Sequence, residues 1–201
     1  MDNVRLAVKK AAGKLRRAVL GPHVRAVMCE ANGKFFCVAP SDFTIGRHLA
    51  FKGTYEADEF DAIRKLCAQR DIKTGLFVGA HVGYFVIHMA EHLEQVHAVE
   101  ANPDTFSLLE MNVGINRCDN VYIHRFAATS HETSLEFWQT SENTGGSKVA
   151  LDSNDAHVSY DRGSKIIVPG RPVDSLGVQA DLVVLDVEGH EIPALQGMQK
   201  T

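Results

Sequence analysis

Asp186, Glu188 and His190 stand within five residues of one another, directly after Ala180-Asp181-Leu182-Val183-Val184-Leu185, the most apolar run in the chain. Three side chains that can hold a proton, gathered at the tip of a predicted strand, suit a general base that takes the proton of a weakly acidic hydroxyl. Alternate residues of a strand share one side, so extended geometry continuing to Gly189 would aim Asp186 and Glu188 into one crevice. Of the three, Asp186 and Glu188 are preferred to His190 as the base. The plainer alternative makes Asp186 a cap for turn amides and pairs Glu188 with a nearby cation. Two carboxylates also suit a hard divalent cation, but no third ligand is identifiable, so no metal is expected.

A base at a strand tip acts only if neighbouring elements bring a substrate to it. Residues 74–100 read as such a set: the apolar Leu76-Phe77-Val78, the turn Gly79-Ala80-His81-Val82-Gly83, a helix from about Gly83 to Leu93, a second apolar run Val96-His97-Ala98-Val99, then Glu100. The runs are short and flanked by turn residues, which predicts buried parallel strands. Two glycines four apart let the backbone leave the strand sharply and approach a ligand without Cβ interference. Glu100 lies about 20 residues after the turn, where α/β nucleotide sites place a carboxylate on ribose hydroxyls.

The spacing departs from a dinucleotide fingerprint, because His81 occupies the position of its second glycine. A bulky side chain there is easier to place when no pyrophosphate lies on the turn, which favours S-adenosylmethionine (SAM) over NAD. A glycine turn that binds nothing is the structural alternative.

Downstream, Asn102 is a predicted helix cap with Pro103 at the first helical position and Asp104 in the first turn. A third strand is predicted over residues 121–126, and Ala127-Ala128 after it offers small side chains where a flat adenine can lie. Residues 141–171, rich in Gly, Ser, Asn and Asp without periodicity, read as a long excursion over the site. His88 and His92 are one helical turn apart, but Met89 replaces the Glu of a zinc-protease helix, so an exposed pair on a polar face is expected. His97 and His124 fall in strands and read as structural.

In its blocks Phe51-Lys52-Gly53-Thr54-Tyr55-Glu56, Val78-Gly79-Ala80-His81-Val82-Gly83-Tyr84-Phe85, Val99-Glu100-Ala101-Asn102-Pro103, Asn143-Thr144-Gly145-Gly146-Ser147, Pro172-Val173-Asp174-Ser175-Leu176 and Leu185-Asp186-Val187-Glu188-Gly189-His190-Glu191, the chain resembles the FkbM-type methyltransferases. The resemblance implies an α/β fold with a Rossmann-like SAM methyltransferase sheet, and methyl transfer from SAM, most often to a hydroxyl oxygen of a small molecule or glycan. It places Gly79, Ala80, Gly83 and Glu100 on the cofactor and Asp186 and Glu188 at the floor of the site. His81, Ala101, Asn102 and Ala127 complete the candidate cofactor set, to which Asp186 also belongs. Asn143 to Ser147 would belong to the acceptor side. Family members carry Asp-Val-Gly-Ala-Asn where this chain has Phe77-Val78-Gly79-Ala80-His81, so a hydrogen-bond acceptor beside the cofactor is replaced by an aromatic ring. The family's sheet has seven strands, and residues 192–201 fall on the helix after the fourth, so an incomplete domain with an apolar edge strand is expected.

Residues 1–20 carry six Lys and Arg against Asp2, a charge of +6 − 1 = +5, and the whole chain is −4, leaving −9 for the rest. The apolar stripe Leu6, Val8, Ala12, Leu15 and Val19 fits an amphipathic helix on its own domain, on a partner or on an acidic membrane surface. Asn32-Gly33 between apolar runs predicts a hairpin with a type I′ turn, pairing Met28 with Cys37 and Cys29 with Phe36, and a disulfide between the two cysteines is not expected. Residues 1–50 thus form a helix and β-hairpin extension, and 51–201 the methyltransferase domain. With 201 residues and 45% hydrophobic content the chain can bury one sizeable core. Mild acidity argues against a nucleic-acid partner, and four cysteines without C-x-x-C spacing argue for a cytoplasmic protein with reduced thiols. A non-catalytic binding module and an NAD-linked oxidoreductase are the alternatives.

Overall fold

The computed structural model describes residues 15, 18–21, 23–140, 142–150 and 163–201. The basic segment 1–20 therefore lies almost wholly outside the described residues. The hairpin forms as the sequence predicts. Strands β1 (Val27–Ala31) and β2 (Lys34–Val38) pair Met28 with Cys37 and Cys29 with Phe36. Asn32 and Gly33 both take positive φ, 47° and 77°, as a type I′ turn demands. Helices α1 (Ile45–Lys52) and α2 (Ala57–Gln69) lead into the main sheet.

That sheet contains β3 (Thr74–Val78), β4 (Gln95–Val99) and β5 (Val121–His124), connected by α3 (Tyr84–Met89) and α4 (Pro103–Ile115). Beyond β5 lie β6 (Ala127–Ala128), β7 (Thr133–Thr140), β8 (Lys148–Val149) and β9 (Gly163–Arg171). The last elements are β10 (Leu182–Leu185) and α5 (Glu191–Gln196). The main sheet is wholly parallel with order β10-β3-β4-β5. Taken in chain order the four strands run 3-2-1-4 across the sheet, so the order reverses between β3 and β10. In open α/β sheets ligands bind outside the carboxyl ends of the strands at that switch point. Among the described residues β10 is an edge strand of this sheet, and Val183 on it is 41% exposed.

Alternation divides the core. Phe77 and Ala98 face Val86, Met89 and Leu109 on one side of the sheet, while Leu76, Val78 and Val99 face Phe126, Val173 and Ala194 on the other. The hairpin packs on Tyr84, Ile87 and Leu108. Its second strand, β2, is completed by two amides one helical turn apart. Asn112 accepts from Cys37 N at 2.6 Å and donates to Cys37 O at 3.1 Å, and Asn116 does the same with Phe35 at 3.0 and 2.7 Å.

Several sequence expectations change. The helix predicted to reach Leu93 stops at Met89, because the Asn120 amide draws the carbonyls of Ala90 and Leu93, each at 2.9 Å, and closes the end of the helix. The third strand ends at His124, and Ala127 and Ala128 cross to a second sheet of order β6-β9-β7-β8. Residues 141–171, read as an irregular excursion, include β8 and the nine-residue β9, which pairs with β7 from Thr133↔Gly170 to Thr140↔Gly163. Gly163, Pro169 and Gly170 hide that strand in the sequence, and only long-range pairing reveals it. His88, expected on a polar face, is buried with its ring 4.7 Å from Tyr84, 5.3 Å from Phe60 and 5.7 Å from Phe36.

Candidate active site

At the switch point the carboxyl ends of β3, β4 and β10 enclose a cavity of about 260 Å³. Gly79, His81, Glu100, Ala101, Ala127, Asp186, Glu188 and His190 all line it. Residues drawn from the whole length of the sequence therefore meet, because parallel strands deliver their ends to one edge of the sheet. Three expected members lie elsewhere. Ala80 faces a second, mainly apolar cavity beside Phe77. Gly83 is packed under Leu109, and Asn102 caps α4 by accepting from Asp104 N at 3.1 Å.

Packing by itself requires both glycines. A Cβ on Gly79 would lie 1.7 Å from the carbonyl oxygen of Asp186, and one on Gly83 would lie 2.5 Å from Leu109 Cδ1. Their φ angles are +87° and +85°. The first glycine seats the tip of β10 against the tip of β3, and the second seats α4 on the turn.

Glu100 is only 8% exposed. Its Oε2 accepts from His81 N and its Oε1 from Asn102 N, each at 2.8 Å. Burial pushes its carboxyl up to about 7, against the lowering effect of the amides of Asn102, His81 and Ala101. A carboxylate offers about four lone-pair sites, so these amides leave room for a further donor.

Asp186 and Glu188 share the cavity without sharing an extended strand. β10 ends at Leu185, and Glu188 and Gly189 turn to φ of 52° and 95°. The carboxyl of Glu188 is raised by burial and then by the negative charges of Asp186 and Glu191, with Lys148 opposing. His190 is 6% exposed and held below the usual histidine range by burial, and neither ring nitrogen has a partner.

Phe77 does not enter this cavity. Its ring faces the opposite side of the sheet, among Val86, Met89 and Ala98, so the hollow is not plugged by it. The walls that sequence reading missed come from the second sheet and from before β3: Phe137 and Val149, and Thr44, Ile45 and Tyr55. The alternating Leu135, Phe137 and Gln139 of β7 were the available signal for the former. No group of three or more His, Cys, Asp or Glu among the described residues is arranged to hold a metal ion.

The residues present fit SAM as a ligand. A buried carboxylate with free lone pairs can take ribose hydroxyls, Ala127, Ala128 and Phe126 make a smooth apolar wall, and His190 presents unpartnered nitrogens beside two carboxylates.

The family model described as the methyltransferase FkbM domain matches residues 78–201, beginning at the last residue of β3. No curated protein matches the sequence. Among solved structures, a SAM-dependent methyltransferase from Agrobacterium tumefaciens matches at 14% identity and TM-score 0.42, over 54% of this chain and 34% of that one. Trm5b from Pyrococcus abyssi matches at 23% identity and TM-score 0.40, over 51% and 28%. TYW2 of M. jannaschii, solved in complex with AdoMet, matches at 19% identity and TM-score 0.36, over 52% and 45%. The shared region spans less than half the length of each of these proteins. With more than half of its residues matched by the family model, the chain belongs to the methyltransferase FkbM domain family, whose cofactor is S-adenosylmethionine.

Proposed function

We propose that the protein methylates a hydroxyl oxygen of a small molecule or glycan, with SAM held in the cavity at the switch point and residues 51–201 acting as the transfer domain. The observation that carries this reading is the meeting of Glu100, Asp186 and Glu188 around one cavity. Bound there, SAM supplies an electrophilic methyl carbon on a cationic sulfur. Glu100 is assigned to the ribose hydroxyls, and Ala101, Ala127 and Ala128 to the adenine. Glu188 is assigned to hold the proton given up by the acceptor hydroxyl, since burial and the charge of Asp186 make it a stronger base than an ordinary carboxylate. Positioning the acceptor oxygen and excluding water do the rest of the work.

We propose a cytoplasmic location on the four cysteines, which show no C-x-x-C spacing; no helix among the described residues is long and apolar enough to cross a membrane. The basic segment 1–20 is a candidate contact for a partner or membrane surface.

Calorimetry against S-adenosylhomocysteine and NAD tests the reading. Binding of the sulfur nucleotide alone is expected, and binding of NAD alone would overturn it.

A further inference from the structure

We propose that His81 is a positioning residue for the cofactor, acting through Thr144 and Asp42 to clasp the Asn143–Ser147 turn down over the cavity; the inference rests on the SAM-binding reading above. The chain of contacts begins at Asp42, which is 1% exposed. Its Oδ1 accepts from the amide and hydroxyl of Thr44 at 2.8 and 2.7 Å, and its Oδ2 accepts from Gly46 N and from Thr144 Oγ1, both at 2.9 Å. The single hydroxyl proton of Thr144 is thereby committed to a carboxylate. The contact of 2.8 Å between Thr144 Oγ1 and His81 Nε2 must then run the other way, with the imidazole N–H donating.

Three segments remote in sequence are joined by this chain: the approach to α1, the turn after β3, and the 3-10 turn Thr144–Gly146 between β7 and β8. The 3-10 turn forms one wall of the cavity, with Asn143, Thr144, Gly145, Gly146 and Ser147 all lining it.

His81 itself sits in the left-handed region at φ 51°, which a non-glycine residue keeps only where its surroundings over-determine it. Its backbone is held by Glu100 at one end and its ring by Thr144 at the other. Glu100, the residue assigned to ribose, and the turn that walls the cavity are thus fastened to the same residue, the first by its backbone amide and the second by its ring. Loosening the ring frees the cover, and a bound nucleotide escapes sooner.

The test separates the donor from the bulk of the ring. In glutamine the Nε2 donor stands the same number of bonds from Cβ as histidine Nε2, whereas leucine fills space without donating. Dissociation of S-adenosylhomocysteine is followed by stopped flow, and amide hydrogen exchange of residues 143–147 is followed in the ligand-free protein. His81→Leu and Thr144→Val are expected to release the nucleotide about tenfold faster and to raise exchange in the turn, while His81→Gln stays within about twofold of the parent. Thr144→Val keeps the test open if His81→Leu does not fold. The clasp is overturned if folded His81→Leu or Thr144→Val protein releases and exchanges like the parent, or if His81→Gln is as impaired as His81→Leu. A parent that shows the exchange pattern but binds no sulfur nucleotide leaves the clasp standing as a fold contact, and overturns both its cofactor role and the transfer reading.

Discussion

The backbone amide of His81 donates to Oε2 of Glu100 at 2.8 Å, so the turn after β3 is fastened to the carboxyl end of β4 by the very side chain assigned to ribose. The carboxyl is buried and pushed up to about 7, so the proposed ribose contact predicts that cofactor affinity depends on pH near neutrality. Hydroxyl donors favour the ionised form, so binding must release a proton wherever Glu100 holds one. Affinity for S-adenosylhomocysteine is expected to rise with pH and to be about tenfold weaker at pH 6 than at pH 8. Stability of the ligand-free fold moves the other way. A carboxyl raised in the folded state contributes its stability at low pH and loses it as pH rises from the ordinary 4.5 through about 7. Calorimetry at several pH values, repeated on Glu100→Gln, checks this; a variant that keeps the parent's pH slope would remove Glu100 from the pocket.

Gly79→Ala should be severely destabilising. The new Cβ would meet the Asp186 carbonyl oxygen at 1.7 Å, and alanine resists the φ of +87°. Relief requires the tips of β3 and β10 to part, at a cost of roughly 3 kcal/mol or more. Thermal melting should show the loss, and in protein that still folds, exchange should rise at residues 182–187. A melting temperature equal to the parent's would contradict the packing of these two tips.

Asn112 is fully buried and makes three bonds that close the hairpin onto the main domain: two to Cys37 and one to Val82 O at 2.9 Å. Asn112→Leu leaves those backbone groups unpaired and is expected to cost about 3 kcal/mol in chemical denaturation. Asn116→Ala, at the exposed end of the same seam, should cost about 1 kcal/mol. Equal effects at the two sites would mean that burial does not set the strength of this junction.

His88 predicts acid sensitivity. Burial among three rings, with Lys34 close by, lowers its pKa to about 4 from the ordinary 6.5. Between those values the unfolded chain binds more protons than the folded one, so stability is full above 6.5 and is lost as pH falls. The loss from this residue should reach about 2 to 3 kcal/mol by pH 4.5. The lowered values of His97, His124 and His190 act in the same direction, so His88→Phe isolates its share. Denaturation at pH 7 and 4.5 should show a smaller difference in the variant than in the parent.

Local chemistry was legible in the residues wherever a short stretch suffices to decide it. Asn32-Gly33 determined the hairpin and its register, since a two-residue turn with both φ positive admits few alternatives. Asn102 and Pro103 determined where α4 begins, and the order of apolar runs and turns determined three neighbouring parallel strands and the place of Glu100 among them. Tertiary structure decided what depends on partners distant in sequence. β9 exists as a strand because β7 offers it a ladder, which no local pattern announces. Gly79 and Gly83 make room for the Asp186 carbonyl and Leu109, because the space beside a glycine is allotted by whichever element packs there. Phe77 reads in the sequence as a lost acceptor beside the cofactor and is a core residue in space, since strand alternation turns its ring to the face opposite the cavity. The link from His81 through Thr144 to Asp42 joins positions more than sixty residues apart in the chain, and only the folded arrangement brings their short side chains within hydrogen-bonding reach.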